Sequence, residues 1–213
     1  MFGGRCDEEM KSEEGKKLKE DTGKMSMKDI IIASVLGVIC IAIRFLFMIL
    51  GGILPAAWFA SHMFDAIFIG PVYMLIVAKT KRTGPVFVIS LVTGIIFISA
   101  AISIIVSEII AGILAELALR KGNFENKFWI MVSYIIFSFG FIGDFYLLWF
   151  HKDTFLKYSE NFMNADYLEA LSRLVSVPTM IFIVISILAG ALAGGFLGFK
   201  LMRKHFVKAG VAM

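Results

Sequence analysis

IIIASVLGVICIAIRFLFMIL, residues 30–50, carries a single charged side chain, Arg44. About 20 apolar residues are what it takes to cross a hydrocarbon layer roughly 30 Å thick. No water reaches that layer to satisfy backbone N–H and C=O groups, so a stretch of this kind must be a helix. Working outward from it, five more apolar stretches follow at 63–78, 85–100, 102–119, 128–150 and 177–201. The chain therefore reads as an all-α integral membrane protein with six transmembrane helices. Composition agrees: 59% of the 213 residues are hydrophobic, 18% are charged and 21 are Phe, far from the polarity of a soluble domain. The runs are continuous rather than alternating, which excludes the period-two pattern of a membrane β-barrel.

Lys and Arg near the ends of the stretches set the orientation. Lys16, Lys17, Lys19, Lys24 and Lys28 precede the first; Lys79, Lys81 and Arg82 follow the second. Arg120, Lys121 and Lys127 lie between the fourth and fifth, and Lys200, Arg203, Lys204 and Lys208 close the sixth. The alternate connections are poor in such residues or mildly acidic. Both termini and the even-numbered loops are thus expected in the cytoplasm. The net charge of +4 reflects these flanking residues, which lie against the membrane and do not suit nucleic acid.

Local signals divide the chain further. Residues 1–25 alternate Lys with Asp and Glu, hold too little apolar surface to fold, and read as a disordered tail ahead of a membrane domain over 26–213. No signal-peptide pattern is present, and Met25 or Met27 is as acceptable a start as Met1. Ser26-Met-Lys-Asp29 reads as a capping box opening the first helix. Gly84-Pro85 and Ser176-Val-Pro178 place proline in the first turn of the third and sixth. Pro71, beside Gly70, predicts a kink in the second. Gly51-Gly52-Ile-Leu-Pro55 ends the first helix and begins an aromatic outer re-entry with Trp58, Phe59, His62 and Phe64. Helical spacing of Tyr167, Leu168, Leu171 and Leu174 predicts a short amphipathic helix over 164–174 on the outer surface.

Three ionisable residues fall deep within the stretches: Arg44, Glu108 and Asp144. A charge in hydrocarbon is costly, so it faces the bundle interior and marks either a functional site or a structural ion pair. At ~1.5 Å per residue all three sit about 10–15 Å below the outer surface. One basic group with two carboxylates at one depth suits a polar ligand entering from outside. A pure Arg44 pair with Glu108 or Asp144, locking the bundle, is the rival account. Trp58, His62 and Asp65 form a second candidate group, able to stack on and hydrogen-bond a heterocycle; the rival account is an interfacial aromatic belt, to which Trp149 and Tyr146 are assigned. Glu116, near the cytoplasmic end of the fourth stretch, is expected to pair with a Lys or Arg. Gly190, Gly194 and Gly198 form a small-residue stripe suited to close packing within the bundle, and Ala33-x-x-x-Gly37 is a shorter version.

Several segments resemble one family in order and spacing. They are Gly70-Pro-Val-Tyr-Met-Leu with Lys79-Thr-Lys-Arg-Thr-Gly84, and Leu114-Ala-Glu116-Leu with Gly122-Asn123-Phe. The last helix and tail add Gly190-Ala-Leu-Ala-Gly-Gly-Phe-Leu-Gly198 and Lys204-His-Phe-Val-Lys-Ala-Gly210. From about Lys28 to the C-terminus the chain resembles the Trep_Strep (MptD) family, substrate-binding S components of energy-coupling-factor (ECF) transporters. The resemblance implies a multi-pass protein of a prokaryotic cell membrane that works with a transmembrane T subunit and two ABC ATPases. It further implies docking of the T subunit through Ala33 and Gly37. Ile98-Ser-Ala-Ala-Ile102 departs from the Gly-His-Gly-Trp-like outer turn of many relatives, so ligand identity does not carry over.

The functional expectation is capture of a small organic solute, vitamin-like or another micronutrient, at Arg44, Trp58, His62, Asp65, Glu108 and Asp144. A stand-alone secondary transporter coupled to protons through Glu108 or Asp144 is an alternative. Small size and the lack of an evident inverted repeat count against it. An intramembrane enzyme is a further one, opposed by missing nucleophile and metal motifs, and the protein is read as a non-enzyme without a cofactor. No P-loop occurs, so the chain does not hydrolyse ATP by itself. His62, His151 and His205 are split between the two faces, and Cys6 and Cys40 are too far apart in setting for a metal site or a disulfide framework.

Overall fold

A computed structural model describes residues 26–161 and 163–206. The tail over 1–25, with Cys6 and the alternative starts at Met1 and Met25, lies outside the described residues. The helices are α1 (Met27–Gly51), α2 (Pro55–Thr80), α3 (Pro85–Ile96), α4 (Ile102–Lys121) and α5 (Lys127–Ser138). A 3-10 turn, Gly140–Gly143, leads into α6 (Asp144–Phe150), followed by α7 (Lys152–Ser159), α8 (Ala165–Leu174) and α9 (Val177–Leu201). Among the described residues there is no strand. Five helical segments are long and apolar enough to cross a membrane: Met27–Gly51, Pro55–Thr80, Ile102–Lys121, Lys127–Phe150 and Val177–Lys204.

Helix starts follow local chemistry. Ser26 Oγ accepts from the Asp29 N–H at 3.2 Å while Asp29 takes the Ser26 N–H at 3.0 Å, closing the expected capping box. Proline opens α2, α3 and α9 within the first two positions, where its missing N–H has no intrahelical partner to lose. Helix ends follow tertiary packing and depart from the sequence reading. The third stretch stops being helical at Ile96, after a helix of 12 residues from Pro85. About 18 Å of helix is short for a bilayer crossing. Phe97 turns inward there, buried against Phe141 at 4.8 Å, and starts the turn to α4. The fifth stretch is not one helix, since the 3-10 turn interrupts it. The second begins at Pro55 rather than 63, and its helix runs unbroken through Pro71 to Thr80. What reads as a re-entry loop is the first two turns of α2.

Contacts at the helix ends fix their directions. Arg82, after α2, lies 3.4 Å from Asp29 at the start of α1, and Lys81 lies 2.9 Å from Glu125, after α4. Glu116 near the end of α4 reaches the start of α3. The starts of α1, α3 and α5 and the ends of α2 and α4 therefore share one end of the bundle, the end rich in Lys and Arg. α9 runs parallel to α2 and closely against it. A Cβ on Gly190 would sit 2.4 Å from Met63 O, one on Gly194 2.2 Å from Ala66 O, and one on Gly198 2.9 Å from Gly70 O. The glycine stripe thus packs inside the bundle, as read from the sequence.

At the opposite end, α8 forms where the spacing indicates, with Asn164 Oδ1 accepting from Tyr167 N–H at 2.7 Å. It does not lie free on a surface. Tyr167, Leu168 and Leu171 are buried, and the Tyr167 hydroxyl donates to Gly51 O at 2.9 Å, tying α8 over the α1–α2 connection. One apolar core surrounds Ile69, Tyr73, Met74, Tyr134 and Phe137. A smaller aromatic core, with Phe59, Phe145 and Leu148, lies toward α8.

Candidate functional site

The six residues singled out as a site come together in one buried polar layer. α2 brings three of them. Trp58, His62 and Asp65 are spaced four and three apart, which puts them on one helix face. α1 supplies Arg44, α4 supplies Glu108, and the start of α6 supplies Asp144. The layer touches both cores: the Arg44 guanidinium lies over the rings of Phe137 (5.2 Å) and Phe141 (5.1 Å), and the His62 ring lies 4.6 Å from that of Phe145.

Two sub-clusters make up the layer. In the first, Arg44 Nη1 donates to Glu108 Oε1, and Arg44 Nε stands 3.5 Å from Asp65 Oδ2. Gly140 lies flat against Glu108; a Cβ there would be 2.7 Å from its Oε2. In the second, Asp144 Oδ2 accepts from Trp58 Nε1 at 3.0 Å and lies 3.1 Å from His62 Nε2. The Ser61 hydroxyl donates to Trp58 O at 2.6 Å, which leaves its oxygen 3.3 Å from His62 Nδ1 to act as acceptor. The imidazole thus lies between Ser61 Oγ on one side and Asp144 Oδ2 on the other.

Of the two partners open to Arg44 in the sequence, the structure pairs it with Glu108. Asp144 partners Trp58 and His62, not Arg44. Arg44 reaches Asp65, so the deep charges and the outer aromatic group form one site, not two alternatives. The expectation for Glu116 is corrected: its Oε1 accepts from the backbone N–H groups of Gly84 (3.0 Å), Val86 (2.9 Å) and Phe87 (3.2 Å), capping α3 instead of pairing with a Lys or Arg. Ala33 and Gly37 are turned inward. Ala33 is buried, and a Cβ on Gly37 would lie 3.0 Å from Ile89 of α3. Gly37 packs α1 on α3, and Ala33 is covered within the bundle. Trp149 is packed into the bundle as well, its ring edge-on to that of Phe145 with centroids 4.8 Å apart. Phe47, Ser61 and Phe141 complete the site and escaped the sequence reading. Ser61 alone carried a signal, sitting beside His62 and three residues after Trp58.

A crevice between α1, α2 and α6 opens onto these side chains, with about 10 Å³ of free volume, room for one water at most. Several polar atoms around it have no hydrogen-bond partner among the described residues: Arg44 Nη2, Asp65 Oδ1 and Asp144 Oδ1. Buried polar atoms are normally satisfied, so this capacity is available to a ligand. A larger cavity, about 580 Å³, lies beside α4, α6 and α9. Its walls include Val106, Ile110, Phe150, Ile183 and Val184, and its two serines are already committed: Ser103 and Ser107 donate to Gly143 O and Gly140 O at 2.6 Å each. It suits lipid tails better than a polar solute. Among the described residues no group of three or more His, Cys, Asp or Glu is arranged to hold a metal ion.

A family model described as a hypothetical bacterial integral membrane protein (Trep_Strep) matches residues 27–208. No curated protein and no solved structure gave a match.

Proposed function

The chain belongs to the Trep_Strep family of bacterial integral membrane proteins, and from that premise we propose that it captures a small organic solute from outside the cell as the S component of an ECF-type transporter. The observation that carries this reading is the polar layer. Residues from four separate elements converge at one level, and buried polar atoms among them, including Arg44 Nη2, Asp65 Oδ1 and Asp144 Oδ1, are left without a hydrogen-bond partner among the described residues. A purely structural lock would spend that capacity internally.

The proposed topology has six crossings with both termini in the cytoplasm. In support, the basic residues gather at one end of the bundle, and chain direction reverses at each connection. The layer then lies in the outer half, where an incoming solute arrives first. α3 makes the shortest crossing, aided by Gly84 and the turn after Ile96. Access requires Asp144 to leave Trp58 and His62. α6 is short and bracketed by the 3-10 turn and a break at His151, so it is the element suited to that movement.

Delivery inward falls to a T subunit and two ABC ATPases, because the chain has no nucleotide-binding motif of its own. Any contact with the T subunit through Ala33 and Gly37 would require α1 to part from α3. The test is isolation of the tagged chain from its native membrane in mild detergent. The expected result is co-purification of one further membrane subunit and two ATPases. Solute uptake by the purified chain alone in proteoliposomes would instead establish a secondary transporter driven through Glu108 or Asp144.

A further inference from the structure

The charges in the polar layer do not balance. Asp65, Glu108 and Asp144 bring three carboxylates. Arg44 answers one positive charge and is engaged by Glu108. With all three carboxylates ionised, the layer is one negative charge in excess if His62 carries a proton on each nitrogen, and two if it is neutral. Among the described residues no other Lys, Arg or His lines the crevice. A buried carboxylate without a counter-charge either takes up a proton or is matched by a partner's cation, and a cationic solute would supply the second.

The excess is also localised. Arg44 is shared by Glu108 and Asp65, and Glu108, whose Oε2 is also unpartnered, stands outside the lining of the crevice. The two that line the crevice are Asp65 and Asp144, each with an unpartnered oxygen and each about nine-tenths buried. Around them stand the rings of Phe47, Trp58 and Phe141. Carboxylates among aromatic rings match a cationic nitrogen, which gains from the opposite charge and, over a ring face, from the ring quadrupole. An anionic solute would meet repulsion from the two carboxylates that line the crevice.

Resting on the reading of this layer as the solute site, we propose that the solute is an organic cation whose charged nitrogen is received between Asp65 and Asp144, with a flat or apolar body against Trp58 and Phe141. Binding would break the Trp58–Asp144 hydrogen bond and replace it with the new ion pair, so closure and charge neutralisation are one event.

Size-matched probes test this. Benzylamine and benzyltrimethylammonium are cations, benzyl alcohol is neutral and benzoate is an anion. Each is titrated into the detergent-purified full chain while thermal unfolding is followed, and small molecules retained by the protein from its host are identified by native mass spectrometry. The expected result is stabilisation by the cations alone, or a retained cation. Asp65→Asn and Asp144→Asn should each weaken cation binding at least about thirtyfold. Asp153→Asn, on exposed α7, should leave it unchanged. The melting temperature of each variant without probe separates lost binding from lost folding. If an Asn variant unfolds, Trp58→Phe, which frees Asp144 while keeping a ring, should still bind cations. Stabilisation by benzoate or benzyl alcohol, or a retained anion or neutral compound, overturns the cation assignment and leaves solute capture standing. No stabilisation by any probe together with no retained compound overturns both.

Discussion

Arg44 is the residue on which the layer depends most. It is buried and, among the described residues, is the one arginine or lysine set among three carboxylates. Removing one member of a buried ion pair typically costs ~3–5 kcal/mol, because the other is left unpaired. Arg44→Met should therefore lower the melting temperature of the solute-free protein markedly. Arg44→Met combined with Glu108→Gln should recover part of it, and only part, because Asp65 stays charged. Unchanged stability in the single variant would mean that Arg44 locks nothing. The depth of Arg44, Glu108 and Asp144 was legible in the sequence, since position along a helix converts directly to height in a membrane. Which carboxylate Arg44 meets was not legible, because height says nothing about azimuth. Asp144 is at the right level but faces α2, and only the packing of α6 determines that.

Among the elements, α3 shows how starts and ends differ. Its start was readable, because Gly84-Pro85 acts through its own backbone. Its end was not, because Phe97 leaves the helical path for a site made by α1 and the 3-10 turn before α6. Its N-terminus also depends on α4 through Glu116, whose three charge-assisted bonds satisfy N–H groups that α3 cannot. Glu116→Ala should destabilise the fold by about 2 kcal/mol, the upper range for a lost cap. Glu116→Gln, which keeps an acceptor oxygen, should cost less. Arg120→Ala should be close to neutral in the same thermal unfolding measurement. A large loss at Arg120 would restore the salt-bridge account of Glu116.

At the scale of the molecule, the clustering of Lys and Arg at one end predicts which surface faces the cytoplasm. In a Cys6→Ser background, with Cys40 buried, a single cysteine at Asn161 should react with an impermeant thiol reagent in intact cells. One at Lys127 should react only after permeabilisation; both positions are exposed in the folded chain. Labelling at Lys127 in intact cells would invert the topology. The membrane character and the number of apolar stretches were plain from composition and run length. The break in the fifth stretch was not, because Gly140-Phe-Ile-Gly143 is as apolar as its surroundings and its conformation is decided by a neighbour.

That break bears on how the protein is made. The carbonyls of Gly140 and Gly143 are taken by the hydroxyls of Ser107 and Ser103 on α4. In lipid alone those two hydroxyl bonds are missing, at the place where the regular helical ladder is interrupted and unsatisfied backbone groups are costly. The fifth stretch is thus a poor membrane segment until α4 is beside it, and synthesis from the N-terminus delivers α4 first. A chain split in the turn after Lys121 and expressed as two pieces should show this dependence. The C-terminal piece should integrate stably, judged by protease protection, only when the N-terminal piece is co-expressed. Ser103→Ala with Ser107→Ala in that N-terminal piece should remove the benefit. Stable integration of the C-terminal piece alone would mean that the broken segment satisfies its own backbone.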